Sequence, residues 1–99
     1  MDIHFLYRNQ PFVWDSEKAS TNLNKHGVSF ETACQVFFDR FLHIEEASVD
    51  EEYREAAIGM TEDLDLLLVI HIQRDGGANR IISARHATRR ERISYEDID

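Results

Sequence analysis

NRIISARHATRRER, residues 79–92, reads as a β-strand running straight into a helix. Residues 80–86 alternate in strand period, so Ile81, Ser83 and Arg85 share one face and Arg80, Ile82, Ala84 and His86 the other. Thr88 followed by Glu91 is a capping box, in which hydroxyl and carboxylate satisfy each other's unpaired backbone donors where a helix begins. Five of the chain's eleven Lys and Arg residues fall in these fourteen positions, against one acid, Glu91. In a chain of formal charge −8 that concentration points to a local site for an anion. Arg85 is its centre: apolar or small strand neighbours bury its stem, and its head must then meet a carboxylate or a ligand anion.

Outward from this segment, the preceding residues also have period two. Arg40 to Ala47, Tyr53 to Met60 and Leu64 to Gln73 read as further strands. The breaks at Asp50-Glu51, Thr61-Glu62-Asp63 and Asp75-Gly76-Gly77 are turn chemistry, and such short connections favour antiparallel neighbours. Leu64, Leu66, Leu68, Ile70 and Ile72 form one unbroken apolar face, on which the helices are expected to pack. Those helices lie earlier. Asp15 or Ser16 caps one that runs to about His26 and stops at Gly27, with Ala19 and Leu23 facing inward. A second starts at Ser29, with Val28 and Ala33 as a hydrophobic staple and Phe30, Ala33, Cys34 and Phe37 on one stripe. Ile3 to Tyr7 is a possible short strand, interrupted at Asn9-Gln10-Pro11. The expected fold is α+β: two N-terminal helices, an antiparallel meander of about four strands, and a short C-terminal helix.

Ninety-nine residues make one domain, 1–99, with a single modest core. One cysteine, Cys34, excludes an internal disulfide, and no Cys/His cluster has zinc spacing, so a reducing cytoplasm is the expected location. The run Leu66 to Ile70 is too short to span a membrane, and the N-terminus lacks the build of a signal peptide. Nineteen acids oppose eleven bases, which argues against holding long nucleic acid by charge alone. Two classes survive: phosphate chemistry at a small cationic cleft, or docking of a basic protein on an acidic surface. Residues 1–53 carry four bases and ten acids, and residues 54–99 seven and nine. A cleft must draw its positive charge mainly from the second half.

The candidate residues each admit a structural reading as well. Lys25-His26-Gly27 is an ordinary helix C-terminus, where cations complement the helix dipole. It is also a phosphate-binding lysine beside a side chain that titrates near neutrality. Arg54, Arg74 and Arg80 suit either an anion site or solvated strand positions. Trp14 suits a core or a base-stacking platform. His71 reads as a satisfied core histidine, Glu91 as a cap and Glu52 as a solvated turn charge.

Several segments together resemble one family. Phe12-Val13-Trp14-Asp15, Lys18, Asn22, Lys25-His26-Gly27-Val28-Ser29-Phe30-Glu31, Ala33 and Val36-Phe37 are similar to the opening of BrnT toxins. Arg54, Ile58-Gly59, the apolar strand ending near Arg74, Arg80-Ile81-Ile82-Ser83-Ala84-Arg85, Glu91-Arg92 and Tyr95 resemble the remainder. The likeness spans about residues 12 to 96, and residues 1–11 depart from it.

The resemblance implies a RelE-like fold and a ribonuclease toxin of a type II toxin–antitoxin system. It also implies a BrnA-like antitoxin, in a complex expected to be a heterotetramer, that contacts DNA on the toxin's behalf. On that footing RNA is the substrate, cleaved without metal or other cofactor by attack of the ribose 2′-hydroxyl on the adjacent phosphorus. Arg85 and Arg54 are then assigned to phosphate charge, with Arg74 as a third contributor. Lys25 or His26 handles the proton, and Trp14 and Arg80 hold substrate. The competing class is a noncatalytic or inactivated toxin-like module that binds a basic protein.

Overall fold

The computed structural model describes residues 1–73 and 76–97. Six strands form one mixed sheet: β1 Asp2–Tyr7, β2 Gln10–Asp15, β3 His43–Glu46, β4 Glu55–Met60, β5 Leu66–Gln73 and β6 Asn79–His86. Their order across the sheet is β1-β2-β6-β5-β4-β3. Three α-helices accompany it, α1 Ser16–His26, α2 Phe30–Ala33 and α3 Arg89–Glu96, and a 3₁₀ turn follows α2 over Cys34–Phe38. No described helix is long and apolar enough to cross a membrane.

This architecture corrects the expected one. The chain opens with a hairpin, the first helix comes only after two strands, and the sheet is mixed because β2 lies parallel to β6. Two local features hid the hairpin. Its two-residue turn is Arg8-Asn9, both at positive φ (50° and 65°), the backbone of a primed hairpin turn but with arginine where glycine or asparagine is usual. Pro11, which reads as a strand breaker, pairs opposite Leu6. With Tyr7 and Gln10 closing the turn as the hydrogen-bonded pair, the missing N–H of Pro11 points away from β1 and costs no ladder bond there. The strands of the meander do occur in antiparallel succession, β3 to β6.

The helices also cover the opposite side of β5 from the one expected. Leu67 and Val69 join Phe12, Trp14, Val28, Phe30, Ala33, Cys34, Val36, Ala57, Ile81 and Ala84 in the main core beneath α1, α2 and the 3₁₀ turn. Parity in β2 and β6 decides this, since Phe12, Trp14, Ile81 and Ala84 all point to that side. Aromatic rings dominate: Trp14 meets Phe30 edge-on at 5.8 Å and Phe5 at 5.6 Å, geometries that aromatic quadrupoles favour. Gly59 lets the 3₁₀ turn close on β4, because a Cβ there would lie 2.8 Å from the Val36 carbonyl oxygen.

On the other face, Ala56, Ile58, Leu66 and Leu68 make a smaller aliphatic cluster, against which Ala47, Met60, Ile70, Ala87 and Tyr95 pack. Leu64 lies outside this stripe, exposed and at a φ of 67°. Helix α3 begins with the expected capping box at Thr88 and Glu91. Its far end is tied down by the Tyr95 hydroxyl, which donates to Asp39. Burial and that carboxylate push the Tyr95 phenol up to about 12.

Candidate functional site

Strand β6 carries the cationic side chains, and one irregularity decides where they point. Its register against β5 shifts between Ile70 opposite Ser83 and His71 opposite Ile81, so Ile82 is an extra residue. This β-bulge breaks the alternation read from sequence. Arg85 stands opposite Leu68 and Arg80 opposite Ile72, which places both on the α3 face of the sheet although they differ in parity. Arg54 precedes β4, and its carbonyl accepts from the Ala47 N–H, continuing the ladder. Alternation from Glu55, opposite His71, puts Arg54 on that same face. Three arginines, two from β6 and one from the segment before β4, thus share one side of the sheet.

Each of the three is ion-paired within the chain. Arg85 grips Glu91 in a two-pronged pair, Nη1 to Oε1 at 2.8 Å and Nη2 to Oε2 at 2.9 Å. The pair raises the guanidinium further and holds the Glu91 carboxyl down to about 2. Arg80 pairs with Asp2 at 2.6 Å and Arg54 with Glu52 at 3.2 Å. The Nε atoms of Arg54 and Arg80 are buried without a hydrogen-bond partner. Arg74 lies outside the described residues.

Lys25 and His26 end α1. Asp15 caps its start, accepting from the Lys18 N–H at 3.1 Å, and Gly27 at φ 71° ends it. Both side chains line a cleft of about 410 Å³ with Asp15, Glu17, Lys18, Thr21, Asn22, Ile82 and Ser83. This cleft lies at the edge of β6, where β2 has run out: β2 pairs with β6 only through Phe12–Asn79 and Val13–Arg80. Beyond that point the side-chain amide of Asn22 replaces a neighbouring strand. Its Oδ1 accepts from the Ala84 N–H at 3.0 Å, and its Nδ2 donates to the Ala84 and Val28 carbonyls at 2.8 and 3.0 Å. Burying an amide is tolerable here because its hydrogen-bonding groups are partnered.

The structure therefore keeps the candidate residues in two groups. Arg54, Arg80 and Arg85 stand on the α3 face. Lys25 and His26 sit in the helix-side cleft, which reaches the strand at Ser83, between Arg80 and Arg85 in the chain. None of the three arginines lines that cleft. Trp14 is 2% exposed and wedged in the aromatic core, so its ring has no free face to offer a base. His71 is a buried core histidine, its Nδ1 2.8 Å from Asn79 Oδ1. Burial pulls its pKa down, against the Asn79 bond and the nearby Glu55. Cys34 is buried, its thiol pushed up to about 12 by burial. Among the described residues no three His, Cys, Asp or Glu side chains gather as a potential metal site.

Sequence reasoning missed the linking role of Asn22. Only its place in the family pattern marked it, because nothing in helix spacing shows that a side chain will dock on a strand edge.

Comparison with known proteins completes the picture. Residues 14–91 match the family described as ribonuclease toxin, BrnT, of type II toxin–antitoxin system. The fold is similar to the crystal structure of the Brucella abortus ribonuclease toxin BrnT, at 26% sequence identity and a TM-score of 0.55, over 79% of this chain and 96% of that one. No curated protein matches the chain. With 78 of 99 residues inside the family match, this chain belongs to the BrnT family of ribonuclease toxins of type II toxin–antitoxin systems.

Proposed function

We propose that this toxin cuts RNA internally, without a metal ion, by in-line attack of a ribose 2′-hydroxyl on the adjacent phosphorus, and so arrests translation and growth. The reaction needs a base for the hydroxyl proton, positive charge around the crowded phosphorane and help for the departing 5′-oxygen. Arg85 and Arg54 supply charge to the phosphate oxygens, with Arg80 holding the chain beside them. Arg74 is kept as a further contributor on sequence grounds alone. Lys25 or His26, at the end of α1, handles the proton. The observation that carries this reading is the match of residues 14–91 to the ribonuclease toxin family; Arg54, Arg80 and Arg85 stand on one sheet face, and the Lys25/His26 cleft meets the same strand from the other side at Ser83. A bound phosphate would compete with Glu91 for Arg85, exchanging one two-pronged anion contact for another.

An antitoxin of the BrnA type holds the toxin silent, as a heterotetramer in which only the antitoxin touches DNA. The toxin's acidic surface suits a basic partner. A second reading, a noncatalytic module, draws on the ion pairing of all three arginines and predicts intact RNA at any protein concentration.

Arg85→Ala decides between them. Removing one charge contact of this kind costs about 2.7–4 kcal/mol in activation, a hundredfold or more in rate. Expression of the wild-type chain alone should arrest growth and degrade RNA on a gel. Arg85→Ala should spare both while the protein stays folded and antitoxin-bound, with α3 loosened by loss of the Glu91 pair. Full toxicity from folded Arg85→Ala protein would remove Arg85 from the mechanism.

A further inference from the structure

We infer that the outer edge of β3 is the docking strand for the antitoxin, receiving an extended cationic segment as a seventh strand of the sheet. This rests on the antitoxin reading above and adds the place and chemistry of the contact.

Three independent features coincide there. First, β3 is the last strand of the sheet. Its register, Glu45 opposite Ala56 and Ile44 opposite Ala57, continues through the hydrogen-bonded Ala47–Arg54 and Val49–Glu52 pairs. Bonded and unbonded pairs alternate in an antiparallel ladder. His43 and Glu45 therefore bond inward to β4, while the N–H and C=O groups of Ile44 and Glu46 point outward. Second, Phe41, Ile44, Val49 and Tyr53 are exposed, four large apolar side chains within thirteen residues. A strand edge kept free of partners usually carries few such groups. Third, residues 41–55 hold six acids and one arginine, a net −5 of the chain's −8.

The charge selects the occupant. A second copy pairing β3 to β3 would set Glu45 and Glu46 against their own equivalents, and like charges across a strand pair are destabilising. RNA is repelled for the same reason. A strand bearing Lys or Arg with apolar side chains at alternate positions satisfies the outward backbone groups, the apolar side chains and the acids together. The sheet's other edge, β1, lacks this combination. From Asp2 to the turn residue Arg8 there is one acid and one base, and both are already ion-paired.

The test uses the toxin and the protein encoded by the adjacent reading frame, with binding measured by calorimetry and RNA cleavage by the free toxin measured in parallel. Ile44→Pro removes an outward N–H that no β4 bond uses, and the double variant Glu46→Lys/Glu51→Lys reverses charge without touching the backbone. Each should weaken binding on the order of tenfold or more and leave cleavage unchanged. His4→Pro, the matching outward position on β1, should bind like wild type. Undiminished binding by the Ile44 and Glu46/Glu51 variants, or loss confined to His4→Pro, overturns the β3 assignment while the antitoxin reading stands. A wild-type pair that does not associate at all removes both. A toxin that dimerises alone, and becomes monomeric on Ile44→Pro, would make this edge a self-interface instead.

Discussion

The two faces of the sheet are built on opposite principles. Under α1 and α2 the sheet is sealed by interlocking aromatic rings, with Phe30, Ala33, Cys34, Val36, Ala57, Val69 and Ala84 wholly inaccessible. Under α3 a short aliphatic cluster is bounded by ion pairs, and the helix is held there by Arg85–Glu91 and Tyr95–Asp39. The first face depends on shape and desolvation, with His71 as a buried titratable group. The second depends on charge and carries the arginines assigned to the phosphate.

The comparison is open to attack. The largest effect is expected from Phe30→Ala, which empties the centre of the aromatic face and should cost about 3–5 kcal/mol, seen as a lower denaturant midpoint. At temperatures where the variant stays folded, its cleavage rate should match wild type. A rate loss as large as that of Arg85→Ala would show that the two faces are not separable.

Acid should discriminate between them next. The Arg85 guanidinium holds Glu91 at about 2, below its ordinary value of 4.5. A carboxylate with a depressed folded-state pKa gives stability that is fully present above the unfolded-state value and lost as pH falls towards the folded one. Attachment of α3 should therefore be complete above about pH 4.5 and weaken between there and about pH 2. Amide exchange in Arg89–Glu96 should rise in that interval before the Trp14 fluorescence changes. Simultaneous transitions would contradict an independently held α3.

The smallest effect belongs to Arg8→Ala. Arg8 lies over Phe38 at 5.3 Å and 3.4 Å from Glu62, but both charges are exposed, and such contacts contribute less than about 1 kcal/mol. A larger loss in the melting curve would mean that the hairpin turn is a structural anchor of the aromatic face.

Much of this molecule was readable before any coordinates. The β6 limits Asn79–His86, the Thr88–Glu91 capping box, the Asp15 cap, the Gly27 stop and the start of α2 all came from local chemistry. So did a buried His71 and a guanidinium at position 85 in need of an anion. The errors share one cause. The hairpin was lost because Arg8-Asn9 adopts a turn its side chains do not advertise. The covered face of β5 was misjudged because Leu66–Gln73 is apolar on both sides, and the choice came from Phe12 and Trp14, over fifty residues away. The facing of Arg80 was misassigned because the bulge at Ile82 exists only against β5.

What the sequence determined by itself was therefore the helix caps and stops, the last strand and the family, since caps, turns and periodicity act between residues a few positions apart. Tertiary structure alone decided the parallel meeting of β2 with β6, the side of the sheet each arginine occupies, and the closing of the β6 edge by Asn22. Those depend on which segments meet across the sheet, and a backbone amide or carbonyl accepts any partner that reaches it with the right geometry.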